Sequence, residues 1–110
     1  MKTKNTNCND EQKLNLIINT TCQLHEIDKE QLLSNANEKT TDLRKQCFYL
    51  IKTNTMLSIN EISSLLNVSR KKVNIGIETI KAHKNIYTNT MSSLLNIVST
   101  ANEKHLIRLN

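Results

Sequence analysis

The chain has no proline, no tryptophan and a single glycine, and aromatic side chains make up only 3% of its 110 residues. Sheets are built from aromatic and β-branched runs punctuated by turn residues, so this scarcity argues for helices. No apolar run approaches the roughly 20 residues needed to span a bilayer. Met1-Lys2-Thr3-Lys4 leads into polar residues, so no signal peptide is expected and the protein is placed in the cytoplasm. Cys8, Cys22 and Cys47 lack C-x-x-C spacing, and His25, His83 and His105 complete no zinc pattern with them, so neither a metal nor any other cofactor is expected. Cys22 and Cys47 instead fall on apolar helical faces, where a free thiol behaves as a small hydrophobe. No carboxylate pair or activated nucleophile can be placed beside the histidines, which argues against an enzyme.

What is present fits one small all-α domain. Hydrophobic residues are 37% of the chain and its net charge is +5, a balance that favours a polyanionic partner. The organising stretch is Ser58 to Ile80. Ser58 and Glu61 stand at the S-x-x-E spacing of a capping box, and Ile59, Ile62, Leu65 and Leu66 follow on one face of a short helix. The phase breaks at Asn67-Val68. Ser69 then caps a second helix whose Val73, Ile77 and Ile80 recur as a buried stripe. Two helices joined by a tight turn form the helix-turn-helix pattern, here over residues 58–84.

Before this motif, residues 1–8 are polar and read as a disordered tail ahead of a single domain over 9–107. Asn9 and Gln12 have capping-box spacing for a first helix to about His25, with Leu14, Ile17, Ile18, Thr21 and Cys22 on one face. Asp28 caps a short turn of helix anchored by Ile27, Leu32 and Leu33. After the polar connection SNANEK, Thr40 or Thr41 caps a helix to about Asn54. Its broad stripe of Leu43, Cys47, Phe48, Leu50 and Ile51 marks the centre of the core. Met56 and Leu57 should bury the approach to Ser58 as a hydrophobic staple.

Gly76 lies on the inward side of the second motif helix, where it costs about 1 kcal/mol relative to alanine. Its presence predicts a close crossing against the Thr41 to Asn54 helix. Beyond Ile80, Asn85 or Thr88 restarts a final helix with Met91, Leu94, Leu95, Val98 and Ala101 inward. That stripe can fold back on the domain or form a homodimer through residues 90–101. Glu103 to Asn110 are expected to fray.

The order LIINTTCQLHEIDKEQLLS, a polar loop, LRKQCFYLIKTNTMLSINEISSLL and VNIGIETI resembles the C-terminal DNA-binding domain of the bacterial replication initiator DnaA. The likeness covers most of the chain and includes Leu32-Leu33-Ser34, Arg44, Leu57-Ser58-Ile59, Glu61-Ile62, Val73, Gly76 and Ile80. It implies a small helical bundle with a helix-turn-helix, of the Trp-repressor-like or DnaA C-terminal type, and a stand-alone divergent relative. Two departures stand out. The family's basic loop before the long helix is here SNANEKTTD, with Lys39 against Glu38 and Asp42. Its Gly-Gly-Arg-Asp-His-Ser/Thr-Thr-Val signature is replaced by the shorter Asn67-Val68-Ser69-Arg70-Lys71-Lys72-Val73. No phosphate-cradling G-x-x-x-x-G-K-[ST] occurs, so no nucleotide is expected.

The expected function is binding of double-stranded DNA, in replication or transcription, without ATPase activity. In a helix-turn-helix the first turn of the second helix meets the bases. Arg70 and Lys71 then face base edges, Asn74 a second base, Lys72 and Lys81 phosphates, and Ser69 a phosphate through its hydroxyl or the helix amides. Three cations in a first turn oppose the helix macrodipole, which hints at use rather than solvation. The alternative is a protein-protein interaction module on the same scaffold that has lost DNA binding, which the outward Ile75 fits. Gathering of Lys45, Lys52, Arg70, Lys71, Lys72 and Lys81 on one face would favour DNA, and scattering would favour the module.

Overall fold

The computed structural model describes residues 2–34, 37–101, 107 and 109, with side chains from Asp10 onward. Among them the secondary structure is entirely helical: α1 Lys2–His25, α2 Lys29–Leu33, α3 Glu38–Asn54, α4 Ile59–Leu66, α5 Arg70–His83 and α6 Thr88–Ala101. The all-α class follows from the composition. α1 starts earlier than the Asn9 capping box predicts, so the expected tail is helical from Lys2. With neither proline nor glycine before Asn9, extending a helix costs far less than nucleating one.

Local signals set most boundaries. Asp28 accepts the Gln31 backbone N–H at 2.8 Å while the Gln31 side chain accepts the Asp28 N–H, which fixes the start of α2. α3 is capped by Asn37, not by Thr40 or Thr41. Asn37 Oδ1 accepts the Thr40 N–H at 2.9 Å, and Thr40 serves as the third helical residue of that box. α3 thereby gains a turn that the threonines alone would have left out.

α3 is the central element. Gln46 through Ile51 are buried without interruption, and α1, α2, α4 and α5 all pack on it. A helix buried on nearly every side needs its polar side chains satisfied from within. Accordingly Cys47 Sγ donates to Thr21 Oγ1 at 3.2 Å, and Ser93 Oγ donates to Gln46 Oε1 at 2.6 Å, tying α3 to α1 and α6. Burial pushes the Cys47 thiol up to about 12, so it stays protonated as a core atom. Arg44 is also buried and only partly satisfied: Nη1 donates to the Ser34 carbonyl at 2.7 Å, closing the end of α2 onto α3, while Nε has no partner among the described residues.

α6 folds back against α1. Of the stripe considered for a homodimer, Leu94 and Ala101 are buried within the chain and Met91 and Val98 half-buried, while Ile97, which that stripe did not include, is fully buried. Leu95, expected inward, is 48% exposed. Ile107 is fully buried and Leu109 half-buried, so the chain touches the core again where fraying was expected. The rest of the 102–110 segment, like residues 35 and 36 of the polar connection, lies outside the described residues.

Candidate nucleic-acid interface

The α3–α4 linker is clamped by α1. Buried Asp10 accepts the Met56 N–H at 3.1 Å, and Lys13 Nζ donates to the Asn54 carbonyl at 3.3 Å. Lys52 Nζ adds a bond to the Leu57 carbonyl at 3.3 Å. Leu57 is buried one residue before the cap, and so is Ile62 at the fourth helical position, the arrangement of a hydrophobic staple. Met56 departs from expectation. It is 83% exposed, because its backbone rather than its side chain is what α1 holds.

α4 opens with the full capping box that the sequence predicts. Ser58 Oγ accepts the Glu61 N–H at 3.1 Å, and Glu61 Oε1 accepts the Ser58 N–H at 2.8 Å. α4 ends at Asn67, whose backbone is left-handed at φ 56°, a conformation asparagine tolerates better than most residues. Val68 N–H then bonds to the Ser63 carbonyl at 3.1 Å, and the Ser63 hydroxyl donates back to the Val68 carbonyl. Three residues, Asn67 to Ser69, thus turn the chain from α4 into α5.

Ser69 caps α5 by accepting the Lys72 N–H at 3.1 Å. Its oxygen is therefore engaged as an acceptor, which leaves the Arg70 and Lys71 amides of the first turn without a partner inside the helix. Val73, Gly76, Ile77 and Ile80 are buried, and α5 packs on α3 and α4. The crossing with α3 is as close as Gly76 predicts. A Cβ built on Gly76 would stand 2.9 Å from Phe48 Cδ2 and 3.2 Å from the Lys45 Cα.

The remaining side chains of α5 divide into groups. Arg70, Asn74 and Lys81 are four and seven residues apart, within roughly 40° of one flank at 100° per residue. Lys71, Ile75 and Glu78 form the outward crest. Lys72 is half-buried and turned roughly 160° from Arg70, so it does not join the others. Lys81 stands about 16 Å along the axis from Arg70 and lies 4.0 Å from Glu78, an exposed pair worth little. The cations are therefore only partly gathered. Lys52 is used at the linker, Lys45 flanks Gly76, and Arg70 and Lys71 project from the first turn of α5.

Asn60 of α4 completes the surface and went unnoticed in the sequence. Its Oδ1 accepts from Arg70 Nη1 at 3.1 Å, and it lines one shallow depression with Ile59, Ser69, Arg70, Lys71 and Asn74. A separation of ten residues across a turn carries no periodic signal, so only the folded chain reveals the pair. Among the described residues no group of histidine, cysteine and carboxylate side chains could hold a metal ion. No helix there is long and apolar enough to cross a membrane. No family model, curated protein or solved structure matches the chain.

Proposed function

We propose that this protein binds double-stranded DNA by presenting the first turn of α5 to the major groove, with α4 and α5 acting as a helix-turn-helix. The observation that carries the reading is the charge at the helix starts. α2, α3 and α4 each place an acidic residue in the first turn, as the macrodipole favours, and α1 and α6 place none, whereas α5 opens on three successive cations, Arg70, Lys71 and Lys72. The unfavourable local charge is offset if a phosphate backbone supplies the counter-charge. Arg70, Lys71 and Asn74 then address base edges, while Lys72 on the opposite flank, Lys81 farther along and the Ser69 hydroxyl serve phosphates of the groove walls. The role is that of a stand-alone accessory or regulator in replication or transcription, working in the cytoplasm without ATPase activity. The resemblance to the DnaA C-terminal domain supports the same reading through element order.

A second reading keeps the scaffold and replaces the partner with a protein. Its support is Ile75, 46% exposed on the outward crest of α5, where a groove-facing helix more often carries polar side chains. Anisotropy of a fluorescent duplex separates the two. The DNA reading expects binding that weakens with salt, by roughly 0.9 log units per log unit of salt for each phosphate neutralised, and that drops in Arg70→Ala/Lys71→Ala. A folded wild type that leaves the duplex unbound at low salt would sink it and favour the protein partner.

A further inference from the structure

Asn60 has no structural duty that explains its contact with Arg70. It is exposed, the capping of α4 is done by Ser58 and Glu61, and its neighbours Ile59 and Ile62 supply the packing on that turn. Arg70 is exposed as well, yet its guanidinium is tethered by the 3.1 Å bond from Nη1 to Asn60 Oδ1. A free arginine samples many rotamers and loses that freedom when it binds. An arginine already tethered loses less and approaches from one direction.

We propose that Asn60 is a positioning residue that aims Arg70 at a guanine, and that Arg70 and Asn74 together select DNA carrying a guanine and a nearby adenine. This rests on the DNA-binding reading of the α4–α5 surface. Guanidinium has five N–H donors, and Asn60 takes one of the two on Nη1. Two adjacent donors remain for the O6 and N7 acceptors of guanine. Asn74 follows one turn later on the same flank and lines the same depression. Its amide can donate to and accept from the adenine N7 and N6 edge. Four helical residues rise about 6 Å, against about 3.4 Å per base step, so the adenine lies roughly two steps from the guanine. Lys71, a point charge on the crest, has no comparable geometry for choosing a base.

The test is selection of bound duplexes from a pool with a randomised centre. Competition by single-base variants of the selected sequence then follows, for wild type, Arg70→Ala, Asn60→Ala and Asn60→Asp. Wild type should prefer guanine at one position by roughly 5- to 100-fold, and Arg70→Ala should erase that preference. Asn60→Ala should reduce the preference several-fold without changing the salt slope, since no phosphate contact is removed. Asn60→Asp, which keeps an acceptor for Arg70, should restore it. A merely structural residue would change overall affinity and leave the base profile alone. Guanine preference that depends on Arg70 but survives Asn60→Ala would overturn the positioning role while leaving DNA binding intact. Binding without a guanine preference would overturn the proposal equally. Failure of the folded wild type to hold any duplex at low salt overturns the DNA reading, and this inference with it.

Discussion

Gly76 and Phe48 sit so close that the smallest side chain would collide: a Cβ on Gly76 would lie 2.9 Å from Phe48 Cδ2. The backbone of α3 stands behind it, with Lys45 Cα at 3.2 Å, so the strain cannot be relieved by one ring turning aside. Gly76→Ala gains about 1 kcal/mol of helix propensity but overpacks a core in which Phe48 is fully buried. The net expectation is a loss of up to about 2 kcal/mol, read as a lower urea midpoint, with Gly76→Val far worse. An alanine variant stabilised by the full helix-propensity gain of about 1 kcal/mol would show that α3 and α5 are not in this contact.

Asp10 accounts for the second prediction. It is buried and receives the Met56 N–H, so Asp10→Ala leaves a backbone donor unpaired at the α3–α4 linker. The expected cost is about 1–3 kcal/mol, and Asp10→Asn, which keeps a carbonyl acceptor, should recover most of it. Equal melting of both variants would dismiss the clamp.

Glu26 ends α1 with a left-handed backbone at φ 54°. Its side chain is exposed, and the turn is closed by the Ile27 N–H to the Cys22 carbonyl at 3.0 Å. Because glycine adopts this conformation without the Cβ penalty, Glu26→Gly should raise stability by about 0.5–1 kcal/mol. Thermal unfolding by circular dichroism reads it directly, and a lowered melting temperature would contradict the geometry.

His25 gives the chain a pH dependence of known sign. Burial, with a smaller contribution from the charge of Lys39, holds its imidazolium below the usual 6.5. The unfolded chain therefore binds this proton more readily. The contribution to stability is complete above the unfolded value and is lost as pH falls through the folded one. Between about pH 7.5 and about pH 5, the urea midpoint of wild type should fall further than that of His25→Gln. Identical falls would show that His25 is as free as in the unfolded chain.

The sequence was most legible where one residue type does one job. Ser58 with Glu61 and the Ser69 cap place the ends of α4 and α5, and the lone Gly76 announces the crossing with α3. It was least legible where several residues could do the same job. Asn37, Thr40 and Thr41 are all competent caps, and the choice falls to Asn37 because Thr40 can then return a hydrogen bond to it. Periodicity marked α6 as amphipathic without saying what would cover it, and α1 does so. The same periodicity puts Leu65 and Leu95 inward, yet both are partly exposed, because a helix stripe is wider than the face its neighbours cover. Asn60 was invisible, since its only distinction is a bond to a residue ten positions away.

The inward side of α5 is fixed by four buried residues, Val73, Gly76, Ile77 and Ile80, and its start by the Ser69 cap. Positions 70, 71, 74, 75 and 78 are all exposed, so they can be rewritten together without refolding the chain. A library varied at those five positions should remain soluble and cooperative throughout. Whatever this surface recognises, its preference is free to drift through successive generations while the scaffold beneath stays still.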